Sequence, residues 1–320
     1  MEKEKKILLT AGGTGGHIVP LLAVADQLLK VGQGDLSLEF IGPDNNFVSE
    51  FKKRGIRVNK IASAKIRRYF SVKNLIDIPK FIWSIFQALV KMYFIMPDVV
   101  FSKGGPGSFP VVLAAKFYFI PVVIHESDAV PSLNSRLSSK FADRIAVSFR
   151  KTMNYFPKEK VFLSGKPLND TFLDHWLTQE QAKEYFDFDP EEPLIFVMGG
   201  SQGAQRINDV VIDNLERVLG DFQVYHQVGE SNVESVQGDV EPILKRLPVS
   251  LRKKYQFVSF LEEDDYKFAF NAADIVVSRA GSAIFDIAVF GKPSVLIPLE
   301  ESANDHQKIN AYEYAGNGGA

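Results

Sequence analysis

The sequence of 320 residues contains no cysteine, which excludes disulfides, thiol nucleophiles and thiolate metal sites together. It has only five histidines and two tryptophans. No apolar run reaches the roughly 20 residues that a membrane-spanning helix needs. The longest, Phe81 to Met96, is interrupted by Lys91. The start, Met1-Glu-Lys-Glu-Lys-Lys6 followed by Ile7-Leu-Leu9, is too short in its apolar part for an export signal and reads as a first buried strand. Two phosphate-binding signatures are missing as well. A dinucleotide fingerprint opening at Gly13 would place Ile18 at its third glycine, and Gly42-Pro43 stands where an acidic residue should close the second strand. No Gly-Lys-Ser/Thr follows any glycine run, so there is no Walker-type loop. The sole Asp-x-Asp, Asp187-Phe-Asp189, lies in an acidic, proline-containing stretch that reads as a solvated loop, so no metal site is expected.

What is present is ordinary in amount and uneven in place. The chain is 46% hydrophobic and 24% charged, with 26 phenylalanines, a composition that excludes disordered and fibrous proteins. Residues 1–160 hold 24 Lys and Arg against 13 Asp and Glu, whereas the remainder holds 13 against 26. Two halves of opposite sign argue for two domains, the basic one facing an anionic partner. Short β-branched runs alternate with helical segments from Ile7 to Tyr314, the pattern of parallel sheets covered on both faces. The turn Gly165-Lys-Pro167 falls near the change of charge and sets the expected boundary, with domains over 1–165 and 166–320.

Three strands run into glycine-rich turns: Gly12-Gly-Thr-Gly-Gly16, Gly104-Gly-Pro-Gly-Ser108 and Gly199-Gly-Ser-Gln-Gly203. Glycine lets backbone N–H groups approach a phosphate, and a following helix N-terminus favours its charge. In open α/β sheets, ligands bind outside the carboxyl ends of strands, where all three turns fall. One such turn also serves a tight connection that holds nothing. His17 closes the first turn. Its position alone suits a general base and a capping or packing histidine equally.

These three turns, taken with Val123-Ile-His-Glu126, Arg279-Ala-Gly-Ser282, His306-Gln307 and Asn310-Ala311, resemble the MurG family in order along nearly the whole chain. These are peptidoglycan N-acetylglucosaminyltransferases. The resemblance implies a GT-B fold, two Rossmann-like doubly wound domains with a cleft between them. It implies metal-independent, inverting transfer of GlcNAc from UDP-GlcNAc to the 4-hydroxyl of the muramyl sugar in lipid I, with no cofactor. The N-terminal domain would bind the acceptor at the cytoplasmic face of the membrane, and the C-terminal domain would bind the donor. His17 would be the base. Thr14, Gly15, Gly104, Gly105, Ser108 and Asp128 would lie on the acceptor side. Ser201, Gln202, Gly203, Leu261, Arg279, Ser282, Asp286, His306 and Gln307 would lie on the donor side.

Some positions depart from the family. Asp286 replaces a Glu expected on the ribose diol, His306 a Gln, Asp128 an Asn, and Asn169 an Arg, with Lys166 close by. Three other readings are carried alongside: a glycolipid synthase acting on diacylglycerol, a UDP-GlcNAc epimerase, and a nucleotide-sugar-binding module without catalysis. Of the other histidines, His175 reads as a surface residue, His125 as structural, and His226 as a possible lining residue. The family's terminal helix crosses back to the N-domain, so a chain stopping at Asn317-Gly-Gly-Ala320 is expected to be truncated. Residues 65–96 interleave Lys65, Arg67, Arg68, Lys73, Lys80 and Lys91 with aromatics, and Phe81, Ile82, Ile85, Phe86 and Leu89 fall at helical spacing with Trp83 off the stripe. This reads as a patch for an anionic membrane surface. No nucleic-acid partner is expected.

Overall fold

A computed structural model describes residues 4–32, 34–63, 72–169, 172, 177–200, 203–299 and 305–319, without the side chains of 72–76 and 263. The chain forms two compact units, Met1–Asp170 and Thr171–Ala320, which divide a few residues beyond the Gly165 turn.

In the first unit the order is β1 (Lys5–Thr10), α1 (Gly15–Gly32), β2 (Leu36–Gly42), α2 (Val48–Lys53), β3 (Arg57–Lys60), α3 (Val72–Ile95), β4 (Val99–Ser102), α4 (Ser108–Phe117), β5 (Val122–Glu126), α5 (Leu133–Ser138), β6 (Arg144–Val147) and β7 (Val161–Leu163). The strands form one parallel sheet in the order β3-β2-β1-β4-β5-β6-β7. Parallel strands need crossovers, and the helices that make them cover both faces. Two apolar layers result. One gathers Leu9, Leu21, Ala25, Phe40 and Phe51 under α1 and α2, the other Leu8, Val100, Val112, Ile124 and Ile145 under α3 and α4. In α1 the buried Ile18, Leu21, Leu22 and Ala25 repeat at the spacing of a single helical face.

The second unit repeats the plan with α6 (Gln179–Tyr185), β8 (Leu194–Met198), α7 (Gln205–Asp213), α8 (Leu215–Val218), β9 (Gln223–Gln227), α9 (Val233–Arg246), α10 (Val249–Arg252), β10 (Tyr255–Val258), α11 (Glu263–Ala272), β11 (Ile275–Ser278), α12 (Ala283–Phe290), β12 (Ser294–Leu296) and α13 (His306–Gly316). Its parallel sheet runs β10-β9-β8-β11-β12.

Both sheets have their strand order reverse beside the first strand, between β1 and β4 and between β8 and β11. That switch point is where loops leaving the carboxyl ends diverge and open a crevice. The first and second glycine turns follow β1 and β4. The remaining glycine turn and Arg279 follow β8 and β11. Register places Thr10 opposite Ser102 and Met198 opposite Ser278, so the paired loops start level with each other.

The apolar run in α3 does not form the single stripe its spacing suggests. Phe81, Ala88, Leu89, Met92 and Ile95 pack inward, whereas Ile82 and Phe86 face out with Trp83, Val90, Tyr93 and Phe94. The run is apolar on most of its circumference, and only the side meeting α4 and the sheet is covered. The helix from Asp77 to Ile95 is long and apolar enough to cross a bilayer by length and composition, but its inner side is part of the core of this unit. Residues 65, 67 and 68 lie outside the described residues.

Candidate active site

In the first unit the two glycine turns are bonded to each other. The Lys103 N–H donates to the Thr10 carbonyl at 2.9 Å, and the Gly12 N–H donates to the Gly104 carbonyl at 2.7 Å. Gly104, Gly105 and Gly107 all have positive φ, at 79°, 85° and 93°. At Gly105 the His17 ring occupies the side-chain space: a Cβ there would lie 2.6 Å from its Cδ2 and 2.8 Å from its Nε2. The first turn also starts α1, since the Thr14 carbonyl accepts from the N–H groups of His17 and Ile18, both at 3.0 Å. Thr14 is exposed and Gly15 half-buried, so both are open to a ligand.

His17 is half-buried, and its Nδ1 is shielded with no well-aligned hydrogen bond among the described residues. Burial, helped by the Lys103 ammonium, lowers its pKa from 6.5 to about 4, against the opposing pull of Glu126 and the Lys103 backbone. The ring is therefore neutral at ordinary pH, the state a base requires. Lys103 is itself buried, and its Nζ donates to Ser127 Oγ at 2.8 Å. Desolvation lowers it to about 8, resisted by Glu126 and Asp128. Glu126 is buried too and accepts from the N–H groups of Asp128 and Ser132, both at 3.0 Å. Burial favours its neutral form, but Lys103 and these donors hold its carboxyl below the usual range.

Other expected residues fall differently. Ser108, expected on the acceptor, is fully buried, and its Oγ donates to the Gly105 carbonyl at 2.9 Å while accepting from Asn134 at 2.8 Å. It fixes the turn instead of facing outward. Asp128 is half-buried beside the turn that Glu126 ties down. His125 is buried and bonds the Gly165 carbonyl through Nε2 at 2.9 Å. A carbonyl only accepts, so Nε2 carries the proton. His175 lies outside the described residues.

In the second unit Ser201 and Gln202 lie outside the described residues, but the glycines around them are placed. Gly200 and Gly203 have φ of 80° and 73°. A side chain at Gly200 would strike the Arg279 guanidinium, and one at Gly203 would strike the Val228 carbonyl and the Asn232 amide. Arg279 thus lies directly over the turn, and burial lowers its pKa. The turn feeds α7, whose N-cap is Ala204 with no side-chain cap, and Ser282 is the N-cap of α12. Asp286 is buried on α12 and accepts from the Tyr266 hydroxyl at 3.1 Å. Gln307 is buried, and its Oε1 accepts from the Leu299 N–H at 3.1 Å, while His306 is half-buried at the start of α13. Leu261 is buried just beyond β10. His226, read as a lining residue, is fully enclosed, with hydrogen bonds on both ring nitrogens.

Sequence reasoning passed over Lys103, although a lysine wedged between a buried strand and Gly-Gly signals a cation under the turn. It also gave no role to Tyr266, whose only mark is its place on α11. Among the described residues no cluster of His, Asp and Glu suits a metal ion. Buried polar atoms lacking partners collect at the carboxyl ends of strands: Thr10 Oγ1, Gln227 Oε1 and Ser278 Oγ. That is where an open α/β sheet takes its ligand.

Two parallel sheets with glycine turns at their switch points are the plan of the GT-B fold class. Residues 7–147 match the glycosyltransferase family 28 N-terminal domain and residues 194–320 its C-terminal domain. The chain is 33% identical over 98% of its length, and 84% of the relative's, to the UDP-N-acetylglucosamine--N-acetylmuramyl-(pentapeptide) pyrophosphoryl-undecaprenol N-acetylglucosamine transferase of Clostridium tetani. It is 36% identical to the enzyme of the same name from Treponema denticola, over 97% of the chain and 81% of that relative. The crystal structure of Acinetobacter baumannii MurG superposes with a TM-score of 0.70 at 28% identity, over 98% of this chain and 83% of that one. The chain belongs to glycosyltransferase family 28 and, within it, to the MurG family. UDP-GlcNAc 2-epimerase from Neisseria meningitidis, with a TM-score of 0.67 at 14% identity over 96% of this chain and 85% of that one, shares the fold alone.

Two glycine exchanges separate strain from crowding. Gly104→Ala meets nothing closer than 3.5 Å and carries only its positive φ, a cost of about 1–3 kcal/mol. Gly105→Ala carries the same strain, displaces His17 and meets the Gly12 backbone at 2.9 Å, so it should lose far more activity than Gly104→Ala and also melt lower. Equal activities would show that His17 does not depend on that contact. Asp286→Ala leaves the buried Tyr266 hydroxyl unpaired and should cost about 1–3 kcal/mol in urea unfolding; no change would mean that the hydroxyl finds another acceptor.

Proposed function

We propose that this glycosyltransferase moves GlcNAc from UDP-GlcNAc to the 4-hydroxyl of the muramyl sugar in undecaprenyl-diphosphate-linked lipid I, with inversion. The observation that carries this is the alignment with enzymes of that name over nearly the whole chain. The first unit takes the acceptor on the bonded turns after β1 and β4, and the second takes the donor on the turn after β8. His17 receives the acceptor proton. The α7 N-terminus and Arg279 meet the charge that collapses onto UDP. Asp286 holds the ribose, and His306 and Gln307 read the sugar. Neither the diacylglycerol nor the epimerase reading has a comparable match.

The outward face of α3 supports a place at the membrane. Trp83 is 54% exposed and Phe94 78% exposed, where a soluble helix would carry polar groups. Tyr93 packs at 6.4 Å from Tyr118, which extends the face to Phe117 and to Phe119, itself 88% exposed. Lys80 and Lys116 are exposed on the same two helices. Aromatic groups beside cations suit the interface of an anionic bilayer, where each Lys or Arg contributes roughly 1 kcal/mol. The enzyme works at the cytoplasmic face as a peripheral protein.

Incubation with sugar-labelled UDP-GlcNAc and a lipid I analogue should label the lipid, with no label on diacylglycerol and no epimer without lipid. Label on diacylglycerol alone would overturn the acceptor assignment. His17→Ala should lower kcat by about 10²–10⁴-fold and leave UDP-GlcNAc affinity nearly intact. A lowered pKa keeps the base unprotonated as pH falls, so kcat/KM should hold level through 6.5 and fall only near 4. An acid limb near 6.5 would point to another base. Cosedimentation with phosphatidylglycerol vesicles should weaken with salt and be lost on combined Ile82→Ser, Trp83→Ser and Phe86→Ser substitution. Equal binding to neutral vesicles would refute the anionic patch.

A further inference from the structure

His226 sits in the middle strand segment of β9 with no solvent exposure, and the chemistry proposed above does not use it. Its Nδ1 lies 3.0 Å from the Tyr255 hydroxyl on β10, and its Nε2 lies 3.1 Å from Asn208 Oδ1 on α7. Asn208 is equally buried, and its Nδ2 donates to the Val228 carbonyl at 3.2 Å. The same carbonyl accepts from Asn232 Nδ2 at 2.8 Å. It is also the group against which Gly203 closes, with no room for a side chain.

The direction of every bond follows from the carbonyl. Val228 O can only accept, so Asn208 presents its amine there and its oxygen to His226. His226 Nε2 therefore carries the proton, Nδ1 is bare, and the Tyr255 hydroxyl donates to it. Burial keeps the ring neutral by lowering its pKa to about 4, so this arrangement holds over the working pH range. Asn208 stands in the first turn of α7, where its backbone N–H donates to the Ala204 carbonyl at 3.0 Å. Ala204 is both the N-cap of α7 and the last residue of the glycine turn. The chain of bonds thus runs from the sheet to the loop that faces the donor.

We propose that His226 is a positioning residue for the donor diphosphate: through Asn208 it pins the start of α7 to the carbonyl that follows β9, against which Gly203 closes, so that the α7 N-terminus keeps its place at the phosphates. This rests on the assignment of the donor to that turn. A fully satisfied buried network of this kind fixes one geometry, and a partly satisfied one does not. The ring's role is that of an N–H donor at a set height above the strand. Glutamine can supply such a donor through its Nε2, whereas leucine of similar volume cannot.

The test is UDP binding by calorimetry, with melting temperature and the split between KM for UDP-GlcNAc and kcat recorded for each variant. His226→Leu and Asn208→Leu should weaken UDP by about tenfold or more, while His226→Gln should stay within about threefold of the parent. KM for UDP-GlcNAc should rise more than kcat falls. Parent-level UDP affinity in folded His226→Leu, or His226→Gln as weak as His226→Leu, would overturn the proposal, even if melting temperature falls. Should His226→Leu not fold, Tyr255→Phe removes only the hydroxyl that orients the ring; it should weaken UDP about threefold or more, and unchanged affinity would be equally decisive against the role. Gly203→Val separates the two assignments. If it leaves UDP binding intact, the donor is held elsewhere and both fall; if it abolishes binding while His226→Leu does not, only the positioning role falls.

Discussion

The hydrogen bond from the Gly12 N–H to the Gly104 carbonyl joins the two loops that leave the switch point of the first sheet, and the candidate site of that unit is built around it. It can form only because neither turn carries side chains at the point of closest approach: a Cβ on Gly12 would lie 3.0 Å from Gly105 Cα. Once the loops are closed, Gly105 presses on the His17 ring, and Lys103 is carried beneath them with its ammonium against Ser127. The neutrality of His17 is then a consequence of packing more than of any single partner, since desolvation is its largest cause. A buried cation as neighbour adds to the same effect. Glu126 supplies the balancing charge and is held by backbone donors on the loop after β5.

The second unit reaches a comparable arrangement by different means. Its glycine turn is closed by a carbonyl at the end of β9, with Arg279 laid over Gly200. Buried polar side chains, His226 of β9 and Asn208 of α7, do the work of a loop-to-loop bond. The two halves share a plan and an order of strands, yet the turns of the first unit are fixed by backbone and the turn of the second by a side-chain network.

Much of this was legible in the sequence. The β-branched runs located the strands of both sheets, with ends shifted by a residue or so, and the glycine turns located the carboxyl-end loops. The strand Arg57–Lys60 was missed because it lies at the sheet edge and is mostly polar, so it carries no alternation to read. The helix Val233–Arg246 was missed because it contains Gly238 and Pro242, both of which signal a break, although its buried Val236 and Val240 keep it on the core. The segment from Ile207 to Leu219 read as one helix and is two, since Asn214 interrupts it with a side-chain bond back to the Val210 carbonyl. In the candidate site, glycine pointed to the loops that leave the switch points of both sheets. Whether a given polar side chain faced a ligand or the protein was not readable: Ser108 and His226 both turned inward because their partners come from distant parts of the chain.

A turn whose shape is set by its main chain has an evolutionary consequence. An inhibitor that binds the backbone of the turn from Gly104 to Gly107 contacts atoms common to every amino acid, so no exchange removes them. The residues that hold those atoms in place are nearly as constrained, since Gly105 and Gly107 combine positive φ with neighbours, His17 and Pro43, within 3 Å of where a Cβ would sit. Escape from such a compound would have to come from outside the turn, by altered expression, export or acceptor supply, before it came from the contact residues themselves.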